Sequence, residues 1–191
     1  MALRCTQWTG TAAVNNLELS KLLSRILRHR PDAVGVHIDR NGWCDVGELL
    51  TGLTRLNMHV TLELLERVVQ ENDKRRFVVE GNRIRAAQGH SLPDVEPVLR
   101  QKKPPSLLFH GTTEDRIASI EREGLRPMRR HHVHLSPDEN TARSVGSRRG
   151  PAVVFAIDSA RMQFDGHKFF VSDNGVWLTD AVSRKYLSRL A

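Results

Sequence analysis

The amino-acid sequence predicts an α+β protein built from two lobes, and three observations lead to this prediction. The first half of the chain repeats apolar residues at helical spacing, whereas the second half carries short apolar runs typical of strands. Between them, residues 92–106 contain four prolines and a basic cluster without periodicity, which indicates an interdomain linker. We therefore expect one lobe over residues 1–95 and a second lobe over residues 96–191.

The first lobe is predicted to contain three helices followed by a β-hairpin. The segment "LELSKLLSRILRHRP" has one apolar face, with positions i, i+3, i+4, i+7 and i+8 occupied by Leu or Ile, and Pro31 ends it. "DVGELLTGL" and "TLELLERVVQEND" predict two more helices. In "RRFVVEGNRIRAA", two strand-like runs flank Gly81 and Asn82, which is a hairpin signal. Three helices and a hairpin in this order indicate a winged helix, a small nucleic-acid-binding architecture.

The second lobe is predicted to combine several strands with two short helices. "SLLFHG" is expected to form a strand that ends at His110 and Gly111, and "TTEDRIASIEREGL" a helix that Gly124 ends. "HVHLS" predicts a strand that leads into a second helix, with Ser136 as its N-cap. Further strands are expected in "AVVFAID", "KFFVS" and "VWLTDAV".

Composition excludes several classes of protein. No apolar run approaches the roughly 18 residues of a membrane span, and the N-terminus lacks the apolar region of a signal peptide. We therefore expect a cytoplasmic protein without a membrane partner. The two cysteines, Cys5 and Cys44, do not form a CxxC pair, so neither a thiolate zinc site nor a disulfide framework is indicated.

The basic residues are mostly arginine. The net charge is +7, and 23 of the 29 basic residues are Arg. The planar guanidinium group donates several hydrogen bonds to phosphate, so this bias favours an anion-binding protein. A GC-rich genome would produce the same bias, and composition alone leaves both explanations open.

The stretch "RPMRRHHVHLS", residues 126–136, sets three imidazoles beside three guanidinium groups. In a strand, alternate residues share a face, so His132 and His134 have the spacing of metal ligands. A metal is disfavoured because Ser136 stands where a further acidic ligand would be expected and because the preceding arginines would repel a cation. The stretch therefore predicts either a pocket for an anion or nucleotide, or ordinary hydrogen-bonded histidines.

Other polar segments have ordinary explanations when each is taken alone. "LRHRP" places Arg28 and His29 at a helix C-terminus, where cations complement the helix dipole. "DKRRF" is an unremarkable charge run before a strand. "FHGTT" favours a ligand-binding site more clearly. Gly111 would let a ligand approach the backbone closely, and the N-terminus of a helix would follow.

Taken in order, "LSKLLSRILRH", "NGWCDVGELL", "DKRRF", "IRAAQGHS", "HGTT", "RHHVHLS" and "NGVWLT" resemble the RNA 2′-phosphotransferase family of KptA type. The resemblance implies an N-terminal winged-helix lobe that binds RNA and a C-terminal lobe of ADP-ribosyltransferase type that binds NAD. It also implies a role in tRNA splicing, with a tRNA-like RNA bearing a 2′-phosphate as substrate. We expect a monomer that requires no metal.

The resemblance assigns residues to roles by motif. It implies a catalytic set and an NAD-binding set. The catalytic set consists of Arg28, His29, Arg76 and Arg130. The NAD-binding set consists of His110, Gly111, Thr112, His134, Ser136 and Val176. Val176 stands where protein-modifying relatives carry a catalytic glutamate, and Ala87 replaces the asparagine that the family pattern "IRANQGHS" has.

The implied reaction has two steps. The RNA 2′-phosphate first attacks the nicotinamide ribose of NAD, and a ribose hydroxyl of the ADP-ribosylated RNA then attacks the phosphorus. The products are RNA with a 2′-OH, nicotinamide and ADP-ribose 1″,2″-cyclic phosphate. Two alternatives remain: an ADP-ribosyltransferase that acts on nucleic-acid ends and stops after the first step, and a winged-helix nucleic-acid binder without catalysis.

Overall fold

The structure is a computed structural model that describes residues 15–96 and 99–190. The chain divides into two compact units, which we call unit 1 and unit 2. Unit 1 consists of Met1–Ala86 and Leu92–Glu96, and unit 2 of Ala87–Ser91 and Pro97–Ala191. Helices and antiparallel sheets occur together in the chain, so the predicted α+β class is confirmed.

The three predicted helices of unit 1 are present. They are α1 (Asn16–His29), α2 (Val46–Arg55) and α3 (Leu62–Gln70). Each begins at a residue whose side chain accepts a hydrogen bond from a backbone N–H of the first turn, as helix N-termini require: Asn15, Asp45 and Thr61. The apolar stripe of α1 is buried in the core of unit 1. Pro31 follows the C-cap residue Arg30 and begins a single 3₁₀ turn.

The sheet of unit 1 has three short antiparallel strands. They are β1 (Trp43–Asp45), β2 (Phe77–Glu80) and β3 (Arg83–Ala86), in the order β1-β3-β2. Gly81 has φ +58° in the turn between β2 and β3, which is the left-handed conformation that a tight hairpin requires. Cys44 lies in β1 as a buried free thiol, whereas Cys5 lies outside the described residues.

The described residues of unit 2 form seven strands in two antiparallel sheets. The three-stranded sheet has the order β10-β7-β5 and the four-stranded sheet the order β4-β8-β9-β6. The strands are β4 (Arg100–Gln101), β5 (Leu107–Thr113), β6 (Val133–Leu135), β7 (Ala152–Asp158), β8 (Phe170–Val171), β9 (Trp177–Thr179) and β10 (Leu187–Arg189). Strand β4 lies within the segment predicted as a linker, where Gln101 pairs with Phe170.

Two of the three helices of unit 2 were predicted and begin later than predicted, whereas the last one was not predicted. They are α4 (Ile117–Glu123), α5 (Glu139–Gly146) and α6 (Ser159–Phe164). Strand β5 does not end at Gly111 but runs on to Thr113, and a 3₁₀ turn separates it from α4. The predicted N-cap at Ser136 is wrong, because the carboxylate of Asp138 caps α5 by accepting from the N–H of Thr141 at 2.8 Å.

Each unit has its own apolar core. The core of unit 2 is formed by side chains from both sheets, including Leu108, Leu135, Ile157 and Phe169. None of the helices within residues 15–96 and 99–190 has the length and apolar character that crossing a bilayer requires.

Candidate active site

The two sheets of unit 2 meet where β5 lies beside the end of β6. Phe109 donates its N–H to the carbonyl of Ser136 at 2.9 Å, and Ser136 donates its N–H to the carbonyl of Phe109 at 2.7 Å. This pair of bonds sets His110 of β5 beside His134 of β6. The imidazole Nδ1 of His110 lies 3.0 Å from the carbonyl oxygen of His134.

The His110 imidazole has a defined tautomer in this arrangement. A carbonyl oxygen can only accept a hydrogen bond, so Nδ1 of His110 carries the proton. Burial lowers the pKa of His110, and the nearby charge of Arg130 lowers it further, although the bond to His134 opposes them. The ring is therefore neutral at pH 7, and its Nε2 is a hydrogen-bond acceptor.

The imidazole of His134 is held by Arg130. The Nη1 of Arg130 lies 2.6 Å from Nδ1 of His134. A guanidinium group has no acceptor, so it donates this bond, and Nδ1 of His134 must be unprotonated. Arg130 lies in the turn before β6, where its N–H donates to the carbonyl of Pro127 at 3.0 Å. Three of the predicted site residues, His110, Arg130 and His134, are thus brought together within unit 2.

Gly111 lies under helix α5, where the backbones are too close for any side chain. A Cβ atom added to Gly111 would lie 1.7 Å from the carbonyl oxygen of Ala142. A Cβ atom on Gly146 would lie 2.8 Å from the carbonyl oxygen of Thr112. The two glycines therefore let α5 rest directly on β5. Because backbone groups alternate along a strand, those of Gly111 point to the same edge of β5 as those of Phe109.

All three histidines of the "RRHHVHLS" stretch line a small cleft. His131, His132 and His134 contribute to it, together with Leu178 and the segment Gln88–His90. Nε2 of His132 lies 3.7 Å from Asp180, and burial lowers the pKa of His132 although the charge of Asp180 opposes this. Among residues 15–96 and 99–190, no cluster of three or more His, Cys, Asp or Glu side chains could hold a metal ion.

The other predicted phosphate-binding residues lie in unit 1. Arg28 and His29 form the last turn of α1. The Nη1 of Arg76 donates to the side-chain oxygen of Asn72 at 3.3 Å, and the side-chain nitrogen of Asn72 donates to the hydroxyl of Ser20 at 2.7 Å. Arg76 is therefore linked through Asn72 to α1 at Ser20, about two helical turns before Arg28.

Comparison with known proteins gives the chain a family. The model of the RNA 2′-phosphotransferase, Tpt1 / KptA family matches residues 14–181. This chain belongs to that family. A probable RNA 2′-phosphotransferase from Burkholderia pseudomallei is 52% identical over 170 residues, which cover 88% of this chain and 92% of the relative. One from Rhizobium johnstonii is 50% identical over 175 residues, or 91% and 94% of the two chains. One from Streptomyces coelicolor is 49% identical over 171 residues, or 90% and 93%.

Val176, which the family resemblance assigns to the NAD-binding set, lies just before β9. Its N–H donates to the hydroxyl of Ser172 at 3.1 Å, and the N–H of Ser172 donates to the carbonyl of Val176 at 3.0 Å. The turn between them includes Gly175 at φ +79°. Val176 therefore contributes its backbone to a tight loop, and its side chain offers no hydrogen-bonding group.

Asn72 is the supporting residue that the sequence analysis of this RNA 2′-phosphotransferase family member missed. Its side chain is buried and joins Arg76 to α1 through three hydrogen bonds, one to Ser20 and two from the backbone and guanidinium of Arg76. The signal was weak, because an asparagine just after a helix is usually explained as a helix-ending residue.

Proposed function

We propose that this chain is an NAD-dependent RNA 2′-phosphotransferase that removes an internal 2′-phosphate from RNA. The products would be RNA with a 2′-OH, nicotinamide and ADP-ribose 1″,2″-cyclic phosphate. The observation that carries the proposal is the hydrogen-bonded set of His110, His134 and Arg130 in unit 2. It provides a neutral acceptor and an adjacent guanidinium group, the two groups that a ribose hydroxyl and a phosphate need.

The architecture of unit 1 supports a winged-helix lobe that binds RNA. Its elements follow the order α1-β1-α2-α3-β2-β3, and β2 and β3 form a hairpin at the edge of a three-stranded sheet. We propose the lobe over residues 1–95. For unit 2 we propose an ADP-ribosyltransferase-like lobe over residues 96–191, supported by its two small antiparallel sheets with α5 packed on β5.

The donors and acceptors near His110 fit NAD. The Nε2 of His110 would accept a hydrogen bond from a hydroxyl of the nicotinamide ribose. The backbone groups of Gly111 would bind the nicotinamide amide along the edge of β5 that Phe109 shares with Ser136. We propose that Thr112, His134, Ser136 and Val176 line the same site. When bound, NAD would supply the ribose to which the phosphate is transferred.

The valine at position 176 distinguishes this proposal from protein modification. Protein-modifying relatives carry a catalytic glutamate there, whereas the side chain of Val176 can neither abstract a proton nor pair with a cation. An RNA 2′-phosphate is already an anionic nucleophile at pH 7 and needs no such base. A phosphate as nucleophile is therefore consistent with the loss of the carboxylate.

The phosphate would be neutralised by arginine. By family resemblance we assign Arg28, Arg76 and Arg130 to its non-bridging oxygens, where negative charge grows as the ribose hydroxyl attacks phosphorus. His29 would donate to the departing 2′-oxygen. The bond between Arg130 and His134 supports Arg130, rather than the adjacent Arg129, as the member of this set.

The proposal is tested with a short RNA that carries one internal 2′-phosphate. We expect the purified protein to remove the phosphate only when NAD is present, with ADP-ribose cyclic phosphate as the second product. If RNA carrying ADP-ribose accumulates without cyclic phosphate, the chain is a nucleic-acid ADP-ribosyltransferase instead. If the RNA is bound but neither product forms, the chain is a binding protein and the proposal is wrong.

Arg130 should matter more to the second step than to the first. We expect Arg130→Ala to slow the release of cyclic phosphate by about 100-fold or more, the usual loss when one charge-stabilising donor is removed. RNA carrying ADP-ribose should then accumulate on a gel. Arg129→Ala is the matched control and should keep wild-type turnover. If the two variants behave alike, the role of Arg130 is refuted.

A further inference from the structure

Unit 2 has a second cleft that the reaction above does not use. It has a volume of about 450 Å³. We call it the lysine cleft, and the polar side chains that line it are Gln101, Lys102, Lys103, Gln163, His167 and Lys168. It lies beside β4 and β8, whereas His134 lies in β6.

The charge of the lysine cleft is strongly positive. The chain uses 23 Arg but only six Lys, and three of the six Lys line this one cleft. All three lysine side chains are exposed, and none of the lining residues that the structure describes is acidic. An ammonium group is a point charge without a fixed fork of donors. Such groups suit phosphodiesters that are held by charge rather than by a defined geometry.

Backbone hydrogen bonds fix one wall of the cleft. The N–H of Lys102 donates to the carbonyl of Phe169 at 3.0 Å, and Gln101 pairs with Phe170 across β4 and β8. The ring of Phe169 is buried beneath the cleft. The lysines themselves lie just outside these strands, with Lys102 and Lys103 directly after β4 and Lys168 two residues before β8, and the backbone of Lys102 is held by its bond to Phe169.

The turn after α6 contributes a further part of the wall. The carboxylate of Asp165 accepts from the Tyr186 hydroxyl at 2.5 Å and from Nζ of Lys185 at 3.1 Å. The ring of His167 also packs edge-on against Tyr186. Because Asp165 is paired with Lys185, its charge is offset locally, and the lysines of the cleft keep their positive potential.

An exposed aromatic residue is the chain neighbour of Gln163, one of the residues that line the cleft. Phe164 ends α6 directly after Gln163, and 91% of its surface is exposed. A large apolar ring in water next to cationic groups is the combination by which proteins hold single-stranded nucleic acid, with bases stacked on the ring. A free phosphate or a simple anion would make no use of Phe164. The pairing of ring and lysines therefore favours RNA.

The position of the cleft in the sheet sets the length of RNA that would reach it. The four-stranded sheet has the order β4-β8-β9-β6, so three strand spacings of about 4.8 Å, or ~14 Å, separate β4 from His134. At the axial spacing of about 3.4 Å per nucleotide in one strand of a duplex this is roughly four nucleotides, and an extended single strand would cover the distance with fewer. One RNA that contacted both places would extend several nucleotides from the reacting phosphate.

We propose that the lysine cleft binds the sugar–phosphate backbone of the substrate RNA several nucleotides from the 2′-phosphate, with Phe164 stacked on a base. This rests on the proposed function for the identity of the substrate. The cleft would act on affinity for long substrates and would leave the reacting groups untouched.

The test compares two substrates that carry the same 2′-phosphate, one of two nucleotides and one with about eight further nucleotides on each side. In the variant Lys102→Gln/Lys103→Gln/Lys168→Gln, we expect kcat/KM for the long RNA to fall about tenfold or more, mainly through KM. The kcat/KM of this variant for the short RNA should equal that of the wild type. The slope of log(kcat/KM) against log salt concentration for the long RNA should become shallower by about 2, since each lost phosphate contact contributes ~0.7.

Two further variants make the result specific. Phe164→Ser should raise KM for the long RNA without changing the salt slope, because stacking is not ionic. The charge-matched control Arg116→Gln/Arg122→Gln/Arg189→Gln removes three exposed charges elsewhere in unit 2. It should leave the ratio of kcat/KM for the long RNA to kcat/KM for the short RNA unchanged. The proposal is overturned if the lysine variant affects both substrates equally or neither, or if the control reproduces its effect.

Failure of the proposed function would look different. The wild-type protein would then turn over neither substrate. Fluorescence anisotropy with the long RNA lacking its 2′-phosphate would still test the cleft. Weaker binding by the lysine variant than by the arginine control would support the lysine cleft, and equal binding would reject it.

Discussion

The two units support their candidate residues in different ways. In unit 1, Arg76 is supported by the side chains of Asn72 and Ser20, in a chain of hydrogen bonds that ends on α1. In unit 2, the imidazole of His110 is supported by a backbone carbonyl, and Gly111 is confined by the backbone of α5. Side chains can be exchanged one at a time, whereas a backbone contact depends on the whole fold around it. Substitutions should therefore be tolerated better in unit 1 than in unit 2.

The largest expected effect is that of Gly111→Ala. Its Cβ atom would lie 1.7 Å from the carbonyl oxygen of Ala142, so α5 would have to move off β5. We expect the free energy of unfolding to fall by about 3 kcal/mol or more, since overpacking against backbone has no flexible side chain to give way. Urea unfolding followed by circular dichroism measures this.

Gly81→Ala in unit 1 is the matched control for that substitution. Gly81 has φ +58°, but a Cβ atom there would meet nothing within 4 Å. The cost should be only the backbone strain of about 1 kcal/mol. If the two alanine variants were equally stable, the close approach of α5 to β5 would not be a constraint in unit 2, and the contrast between the units would disappear.

The elements that the sequence predicted are those with local signals. The apolar stripe of α1 and the long apolar run of β7 can be recognised without knowing their neighbours. Strand β1 was not predicted, because its three residues form a strand only through pairing with β3. Strand β10 pairs with β7 in the same way and was also missed. The N-cap of α5 was displaced by two residues, since Ser136 and Asp138 are both good caps and only the bridge of Ser136 to Phe109 decides between them.

In the candidate site, too, the residues with local motifs were predicted and the contacts between distant residues were not. Motifs assigned His110 and His134, but the bond between the ring of one and the carbonyl of the other depends on the pairing of β5 with Ser136. Such a contact joins residues 24 positions apart, so it cannot be predicted from the local sequence around either residue. The role of Asn72 could not be predicted for the same reason, since its partner Ser20 lies 52 positions away. The assignment of Arg28, His29, Arg76 and Arg130 to one phosphate stays a prediction.

A smaller effect is expected from Asn72→Ala. The substitution removes the acceptor for Arg76 and the donor to Ser20 in a buried position. We expect the free energy of unfolding to fall by about 1–3 kcal/mol, the usual cost of leaving buried polar groups without these bonds. Ser20→Ala removes only one of the contacts and should cost less, with turnover closer to wild type. An equal loss in the two variants would show that the bond to Arg76 contributes nothing.

The smallest effect concerns the pH dependence of stability. Burial lowers the pKa of His110 below its unfolded value of about 6.5, so the unfolded chain binds this proton more readily than the folded chain does. The stabilisation is present above pH ~6.5 and is lost as the pH falls through 6.5 towards the lowered pKa. The pKa of His132 is also lowered by burial and acts with the same sign. We expect the urea midpoint of the wild-type protein to drop between pH 7.5 and 5.5, by a smaller amount in His110→Asn, and by the least in His110→Asn/His132→Asn. A single variant whose midpoint drops as far as that of the wild type would mean that burial does not keep His110 neutral in the position from which unit 2 would bind a ribose hydroxyl.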